Sequence, residues 1–247
     1  MTAVPPVLEA ETLVRRYGDR LVVDGVSLTI EAGEMVSLMG SSGCGKTTLL
    51  HLLGTLDRPD EGRLRIEGRD VARLCEPELT VLRRERLGFV FQQSNLLPEL
   101  TTRENVALPA WRATGRRRDS LARADALLAR FGLAARADAR GHVLSLGEAQ
   151  RVAVARAIIN DPRLVLADEP TGSLDSEAAR AVLDALQAAS ASGTALLVVT
   201  HDPVVAARCK RRLAMVDGRL QIDGEPAAVA PAEPPVPRSG SDRATSQ

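Results

Sequence analysis

The run Gly40-Ser41-Ser42-Gly43-Cys44-Gly45-Lys46-Thr47-Thr48 has the residue types and spacing to hold a polyphosphate. It fits G-x-x-x-x-G-K-[ST], a pattern whose backbone N–H groups wrap phosphate oxygens. Its glycines allow the backbone to curl with φ > 0 and come close to the ligand. Lys46 is expected to reach the β/γ-phosphates and the Thr47 hydroxyl to ligate Mg²⁺. A second group, Leu164-Val165-Leu166-Ala167-Asp168-Glu169, is an apolar run closed by two acids. Such a strand presents carboxylates only at its tip, so Asp168 is expected to hold Mg²⁺ and Glu169 to polarise an attacking water. Adjacent strand residues point to opposite sides, which suits two separate jobs. Asp-Glu-Pro-Thr is also good turn chemistry, so an acidic turn stays open as the alternative. In a third group, Leu144-Ser145-Leu146-Gly147-Glu148-Ala149-Gln150-Arg151, Ser145 and Glu148 form an S-x-x-E capping box. A helix tip of this kind is an anion site; a capped amphipathic helix accounts for the same residues.

The surrounding elements must position these groups. Glu34-Met35-Val36-Ser37-Leu38-Met39 reads as a strand entering the glycine loop, and Thr47-Thr48-Leu49-Leu50-His51-Leu52-Leu53 as a helix leaving it. Val7-Leu8-Glu9-Ala10, Ser27-Leu28-Thr29-Ile30 and Leu64-Arg65-Ile66-Glu67-Gly68 have β character and suggest an antiparallel patch, with Tyr17-Gly18-Asp19 as a turn. Leu164-Val165-Leu166-Ala167 and Ala195-Leu196-Leu197-Val198-Val199 have the pattern of buried parallel strands. Between the loop and these strands lies a helix-rich stretch. There Leu121, Ala124, Leu128 and Phe131 share one helical face, and Val152, Ala155, Ile158 and Ile159 another. From Glu225 onward Pro, Ala, Ser and Gly dominate, the composition of a disordered tail.

Composition narrows the field. The chain has 247 residues, 45% of them hydrophobic, which suits one large α/β domain with a smaller inserted part. Lys+Arg and Asp+Glu both number 32, so bulk charge directs the chain neither to nucleic acid nor to an anionic membrane. The basic clusters Arg116-Arg117-Arg118 and Lys210-Arg211-Arg212 read as solvated surface. Three cysteines, Cys44, Cys75 and Cys209, make no disulfide framework or zinc site and suit a reducing cytoplasm. No segment approaches the roughly 18 apolar residues of a membrane span, and the N-terminus lacks signal-peptide blocks. Membrane spans, if the function needs them, are expected on another chain.

Taken in order, these motifs resemble those of the ATP-binding-cassette ATPases, over nearly the whole chain apart from both tails. The resemblance implies an α/β fold: a P-loop (RecA-like) core with an antiparallel β subdomain and an inserted α-helical signature subdomain. On that pattern residues 1–91 and 161–224 form the core and β subdomain, 92–160 the helical subdomain and 225–247 the tail. It implies ATP and Mg²⁺ as ligands. Residues 40–48 (Gly40, Ser41, Ser42, Gly43, Cys44, Gly45, Lys46, Thr47 and Thr48) match the phosphate loop, and Tyr17 the aromatic that stacks on adenine. Gln92, chosen over Gln93 by family register, matches the glutamine that touches Mg²⁺ and water. Asp168 and Glu169 match the Walker B pair, and His201 the switch histidine. Ser173, Leu174 and Asp175 match the loop that contacts the opposite subunit. Ser145, Gly147 and Glu148 belong to the signature motif. His51 and His142 read as structural.

The resemblance further implies two copies facing head to tail, each ATP lying between residues 40–48 of one and 145–148 of the other. Finer likeness, in His51-Leu52-Leu53-Gly54-Thr55-Leu56-Asp57 and Asn95-Leu96-Leu97-Pro98-Glu99-Leu100-Thr101, points to the lipoprotein-release, macrolide-exporter and FtsE-type branch. The implied protein is an ATPase subunit, peripheral on the cytoplasmic face of the inner membrane, that drives a separately encoded integral-membrane permease. No nucleic acid is expected. Leu96, Leu97 and Leu100 either line a groove for a permease helix or pack the helical subdomain. Leu146 departs from the pattern, standing where the family has its first signature glycine; weakened closure on ATP is the expectation. A soluble non-transport ATPase and a nucleotide-controlled binding module stay open as alternatives.

Overall fold

The computed structural model describes residues 5–172 and 174–222. Residues 1–4, Ser173 and 223–247, with the expected tail from Glu225, lie outside them. Strands β1 (Leu8–Tyr17) and β2 (Arg20–Ile30) pair antiparallel across the Gly18-Asp19 turn, from Leu8 opposite Ile30 to Tyr17 opposite Arg20. Both are longer than the sequence suggests. Register shifts between Ala10 and Leu13 and between Leu13 and Arg15 break the alternation that would have revealed their length. Strand β3 (Met35–Gly40) enters the glycine loop, and α1 (Lys46–Leu53) leaves it. The chain then adds β4 (Glu61–Ile66) and β5 (Arg69–Asp70) to the first sheet, whose order is β2-β1-β4-β5.

Helix α2 (Glu76–Arg86) leads into β6 (Leu87–Val90). Three helices follow: α3 (Thr102–Thr114), α4 (Arg117–Arg130) and α5 (Leu146–Ile158). The chain continues through β7 (Leu164–Asp168), α6 (Ser176–Ala191), β8 (Ala195–Val199), α7 (Pro203–Ala207), β9 (Arg211–Val216) and β10 (Arg219–Ile222). The second sheet has the order β10-β9-β3-β8-β7-β6, parallel except for the edge pair β9/β10.

The apolar strands divide their side chains between two cores. Val36, Leu38, Leu164, Leu166, Leu197 and Val199 face one; Met35, Val165, Ala167, Leu196 and Val198 face the other. Burial on both faces explains why β7 and β8 carry no polar alternation. The first core lies between the two sheets and encloses α1, whose Leu49, Leu50, Leu52 and Leu53 are all fully buried. Each such burial stabilises the fold by roughly 1.5–3 kcal/mol, so α1 is held along its whole length. The second core joins the parallel sheet to α3, α4, α5 and α6. Ala124, Leu128 and Phe131 enter it from the α4 segment, with Leu121 half-buried beside them; Val152, Ala155, Ile158 and Ile159 enter it from the α5 segment.

Candidate functional site

The β3–α1 loop, the ends of β7 and β8 and the β6–α3 segment meet at one end of the parallel sheet, around a cleft of about 910 Å³. Gly40, Ser42, Gly43, Gly45, Lys46, Thr47 and Thr48 line it on one side. Gly45 caps α1 in a left-handed conformation and offers no side chain to the first-turn N–H groups. Those donors and the positive helix end form an anion site. The Lys46 ammonium donates to the carbonyls of Gly40 at 2.9 Å and Ser41 at 2.8 Å. Cys44 does not line the cleft; it is buried in the core beneath the loop, and its backbone bonds to Ser41 and Gly218.

Asp168 and Glu169 face the phosphate loop from β7. The Thr47 hydroxyl donates to Asp168 Oδ2 at 3.0 Å. Strand alternation predicts opposite directions for the two acids, yet both line the cleft. The strand ends at Asp168, and Glu169 takes a φ of 48°, which swings its side chain back to the same side. Its Oε1 lies 2.8 Å from His201 Nδ1, and its Oε2 accepts from the Thr200 hydroxyl at 3.4 Å. The hydrogen bond to Glu169 raises the His201 pKa. Gln92 and Gln93 both line the cleft, as does Tyr17 at the end of β1. Arg20, Val22 and Gly172, which sequence reasoning missed, line it too. The available signal for Arg20 was the two-residue turn, which sets it directly opposite Tyr17.

Burial pushes the Asp168 carboxyl above its ordinary pKa; the Thr47 hydrogen bond works against this and the Glu169 charge with it. The folded chain holds that proton more tightly than the unfolded one. Asp168 therefore costs stability as pH climbs from the unfolded carboxylate range through its own higher pKa. Asp168→Asn keeps an acceptor for Thr47 and removes the charge. It is expected to raise the melting temperature of the nucleotide-free chain by about 2 °C and, if Asp168 holds Mg²⁺ as the sequence suggests, to abolish any extra stabilisation that Mg²⁺ adds to ATP. Calorimetric scans with ATP, with and without Mg²⁺, check both; a lowered melting temperature refutes the account.

The signature residues stand apart from this cleft. Ser145 caps α5, accepting from Glu148 N–H at 3.2 Å, while Glu148 Oε2 accepts from Ser145 N–H at 2.9 Å. That backbone bond, with Arg136 alongside, holds the Glu148 carboxyl below its ordinary pKa. Neither they nor Gly147 line the cleft. Asp175 caps α6 through Ala178 N–H at 2.8 Å and also lies outside it; Ser173 is outside the described residues. Leu146 is 75% exposed and, with Gln92, Gln93, Leu96, Pro98 and His142, lines a second groove of about 500 Å³. Leu96 also packs against the second core, Leu97 is exposed and Leu100 is half-buried. Buried Asn105 fixes this segment, bonding to the Leu97 N–H and to the carbonyls of Leu97, Leu100 and Thr101.

A parallel sheet with a glycine loop feeding a buried helix, and paired acids on a neighbouring strand, defines a P-loop nucleotide-binding domain. The family model described as ABC transporter matches residues 23–172, and the chain belongs to that family as an ATP-binding-cassette ATPase. Among solved structures, the dimeric ATP-binding cassette MJ0796 is 38% identical with a TM-score of 0.82, covering 87% of this chain and 96% of that one. Its post-hydrolysis dimer bound to ADP and Pi is 36% identical with a TM-score of 0.81, covering 87% and 98%. The macrolide export ATP-binding/permease protein MacB of Hyphomonas neptunium is 45% identical over 235 residues, 94% of this chain and 36% of that protein. The pyoverdine export ATP-binding/permease protein PvdT of Pseudomonas entomophila is 46% identical over 213 residues, 86% of this chain and 33% of that protein. The chain spans about a third of the length of these curated relatives. The similarity to MacB proteins is consistent with the lipoprotein-release, macrolide-exporter and FtsE-type branch.

Proposed function

We propose that this chain hydrolyses Mg-ATP in a head-to-tail dimer and thereby drives an integral-membrane permease. The observation that carries the reading is the division of the motifs. Lys46, Thr47, Asp168, Glu169 and His201 share one cleft, while Ser145 and Gly147 lie outside it. One copy thus holds the phosphates and lacks the signature contact; a second copy, related by a two-fold axis, supplies it to each cleft. The dimeric solved cassettes support dimerisation.

In this reading residues 40–48 cradle the triphosphate and Tyr17 stacks on the base. The Thr47 hydroxyl and Asp168 carboxylate are hard oxygen donors 3.0 Å apart, a donor set suited to Mg²⁺, with Gln92 completing it. Among the described residues no group of three or more His, Cys, Asp or Glu could hold a metal ion, which agrees with a cation bound mainly through phosphates. Mg²⁺ supplies charge neutralisation at the transferring phosphoryl group. Glu169 accepts a proton from the attacking water, and His201, held by Glu169, faces the γ-phosphate end. Asp175 serves the neighbouring subunit's side of the interface.

The described residues of 1–91 and 161–224 constitute the core with its β subdomain, and 92–160 the helical subdomain that passes motion to the permease through the groove beside Leu96. No described helix is long and apolar enough to cross a membrane. The protein in this reading sits on the cytoplasmic face of the inner membrane beside a separately encoded permease, which chooses the substrate.

Sedimentation of the full chain with Mg-ATP tests the dimer. The wild type is expected to dimerise with ATP, and Ser145→Arg to stay monomeric while still binding ATP. Leu146→Gly, by removing an exposed side chain beside the signature contact, is expected to tighten the dimer about threefold or raise ATP turnover as much, a change of roughly 0.6 kcal/mol. Equal values for Leu146→Gly and wild type in both measurements dispose of the Leu146 effect; dimerisation of Ser145→Arg disposes of the shared site.

A further inference from the structure

Tyr17 ends β1 at the tip of a hairpin and is 48% exposed. An aromatic ring in that position contributes more to binding when its rotamer is held before the ligand arrives, because less freedom is then lost on binding. Here it is held at its tip and on one face. The Tyr17 hydroxyl donates to Asp57 Oδ2 at 2.7 Å. Arg15 Nη2 donates to Asp57 Oδ1 at 2.9 Å, and the same guanidinium lies 4.8 Å from the Tyr17 ring centroid. Its other nitrogen, Nη1, reaches Asp60 Oδ1 at 2.8 Å, and Asp60 Oδ2 accepts the Arg16 N–H at 2.7 Å. Arg15 covers one ring face and does not line the cleft, whereas Tyr17 does.

Asp57 sits just beyond the C-terminal end of α1. The Leu56 and Asp57 N–H groups both donate to His51 O, at 2.9 and 3.3 Å. The first turn of the same helix carries Lys46 and Thr47. One buried helix therefore anchors the phosphate cradle at its start and the aromatic platform at its end.

We infer that Asp57 is a positioning residue for the nucleotide base, clamping Tyr17 with the help of Arg15 so that the ring is set for stacking at a fixed distance from the phosphate loop. The inference rests on Tyr17 being the base-stacking residue. Asp57 does not line the cleft. It removes the freedom the ring would otherwise lose on binding, so its effect appears only for ligands that carry a base.

The test compares ATP with inorganic tripolyphosphate, which engages the loop but has no base, by calorimetric titration of the full chain in Mg²⁺. Tyr17→Ala is expected to weaken ATP about tenfold, the loss of one stacked base. Asp57→Ala is expected to weaken ATP about fivefold, and Tyr17→Phe, which keeps the ring and deletes the hydroxyl, about threefold. Asp57→Asn, which retains an acceptor, falls between Asp57→Ala and wild type. Tripolyphosphate affinity stays unchanged in all four, and adding Asp57→Ala to Tyr17→Ala weakens ATP no further. Equal weakening of ATP and tripolyphosphate by Asp57→Ala overturns the inference, because the damage then lies in the helix or the loop. Unchanged ATP affinity in Asp57→Ala and Tyr17→Phe, with Tyr17→Ala weakened, overturns it while leaving the stacking role of Tyr17 intact. Unchanged ATP affinity in Tyr17→Ala removes the stacking role and the inference together.

Discussion

Replacing Glu169 by Gln is expected to lower ATP turnover about 100-fold or more while leaving ATP affinity within about twofold of wild type. The substitution keeps the size of the side chain and one of the two oxygens that meet Thr200 and His201. It removes the negative charge that, in the proposed reaction, accepts a proton from water. Loss of that charge also relieves repulsion toward the triphosphate, so binding is not weakened. A second readout is independent of turnover. The Glu169 contact raises the His201 pKa, so in Glu169→Gln the imidazole should titrate closer to the ordinary histidine value, as followed by NMR. Wild-type turnover in the variant removes Glu169 as the proposed general base.

Gly45→Ala is expected to cost about 2–4 kcal/mol of stability and most of the ATP affinity. The backbone at Gly45 has φ +109°, and an added Cβ would lie 2.4 Å from Val22 O. The Val22 carbonyl is backbone and cannot rotate away, whereas Met215 Cε, at 3.0 Å, is the end of a flexible side chain that can. Either α1 retreats from β2 or the loop opens, and each displaces Lys46 and Thr47. Gly43→Ala is the internal control. Its φ is +77°, yet nothing lies within 4 Å of the added carbon, so only the conformational strain of about 1 kcal/mol remains. Urea unfolding of the two variants separates steric collision from strain. Equal losses in both would show that Val22 does not press on the loop.

The parts of the site built from contiguous residues were legible in the sequence. The glycine loop, the acids closing an apolar strand and the Ser145–Glu148 box each carry their geometry in local spacing, and each forms the expected element. Features that depend on the backbone leaving its regular path were not legible. Glu169 joins Asp168 in the cleft only through its left-handed φ, against the alternation rule. The Tyr17–Asp57 bond joins residues 40 positions apart, and no local pattern announces it. Helix α2 escaped notice because only Leu79 and Leu82 are buried among charged neighbours. Helix α3 carries Pro109 in its interior, which reads as a break. The cap pairing Thr101 with Glu104 was the available signal for its start.

The two carbonyls that grip Lys46 give the loop an internal cation of its own. The two contacts hold the loop curled around its own ammonium group. An incoming polyanion must outbid Gly40 and Ser41 for the ammonium. A guest dense in negative oxygens is expected to win that exchange more readily than a monophosphate or an uncharged nucleoside.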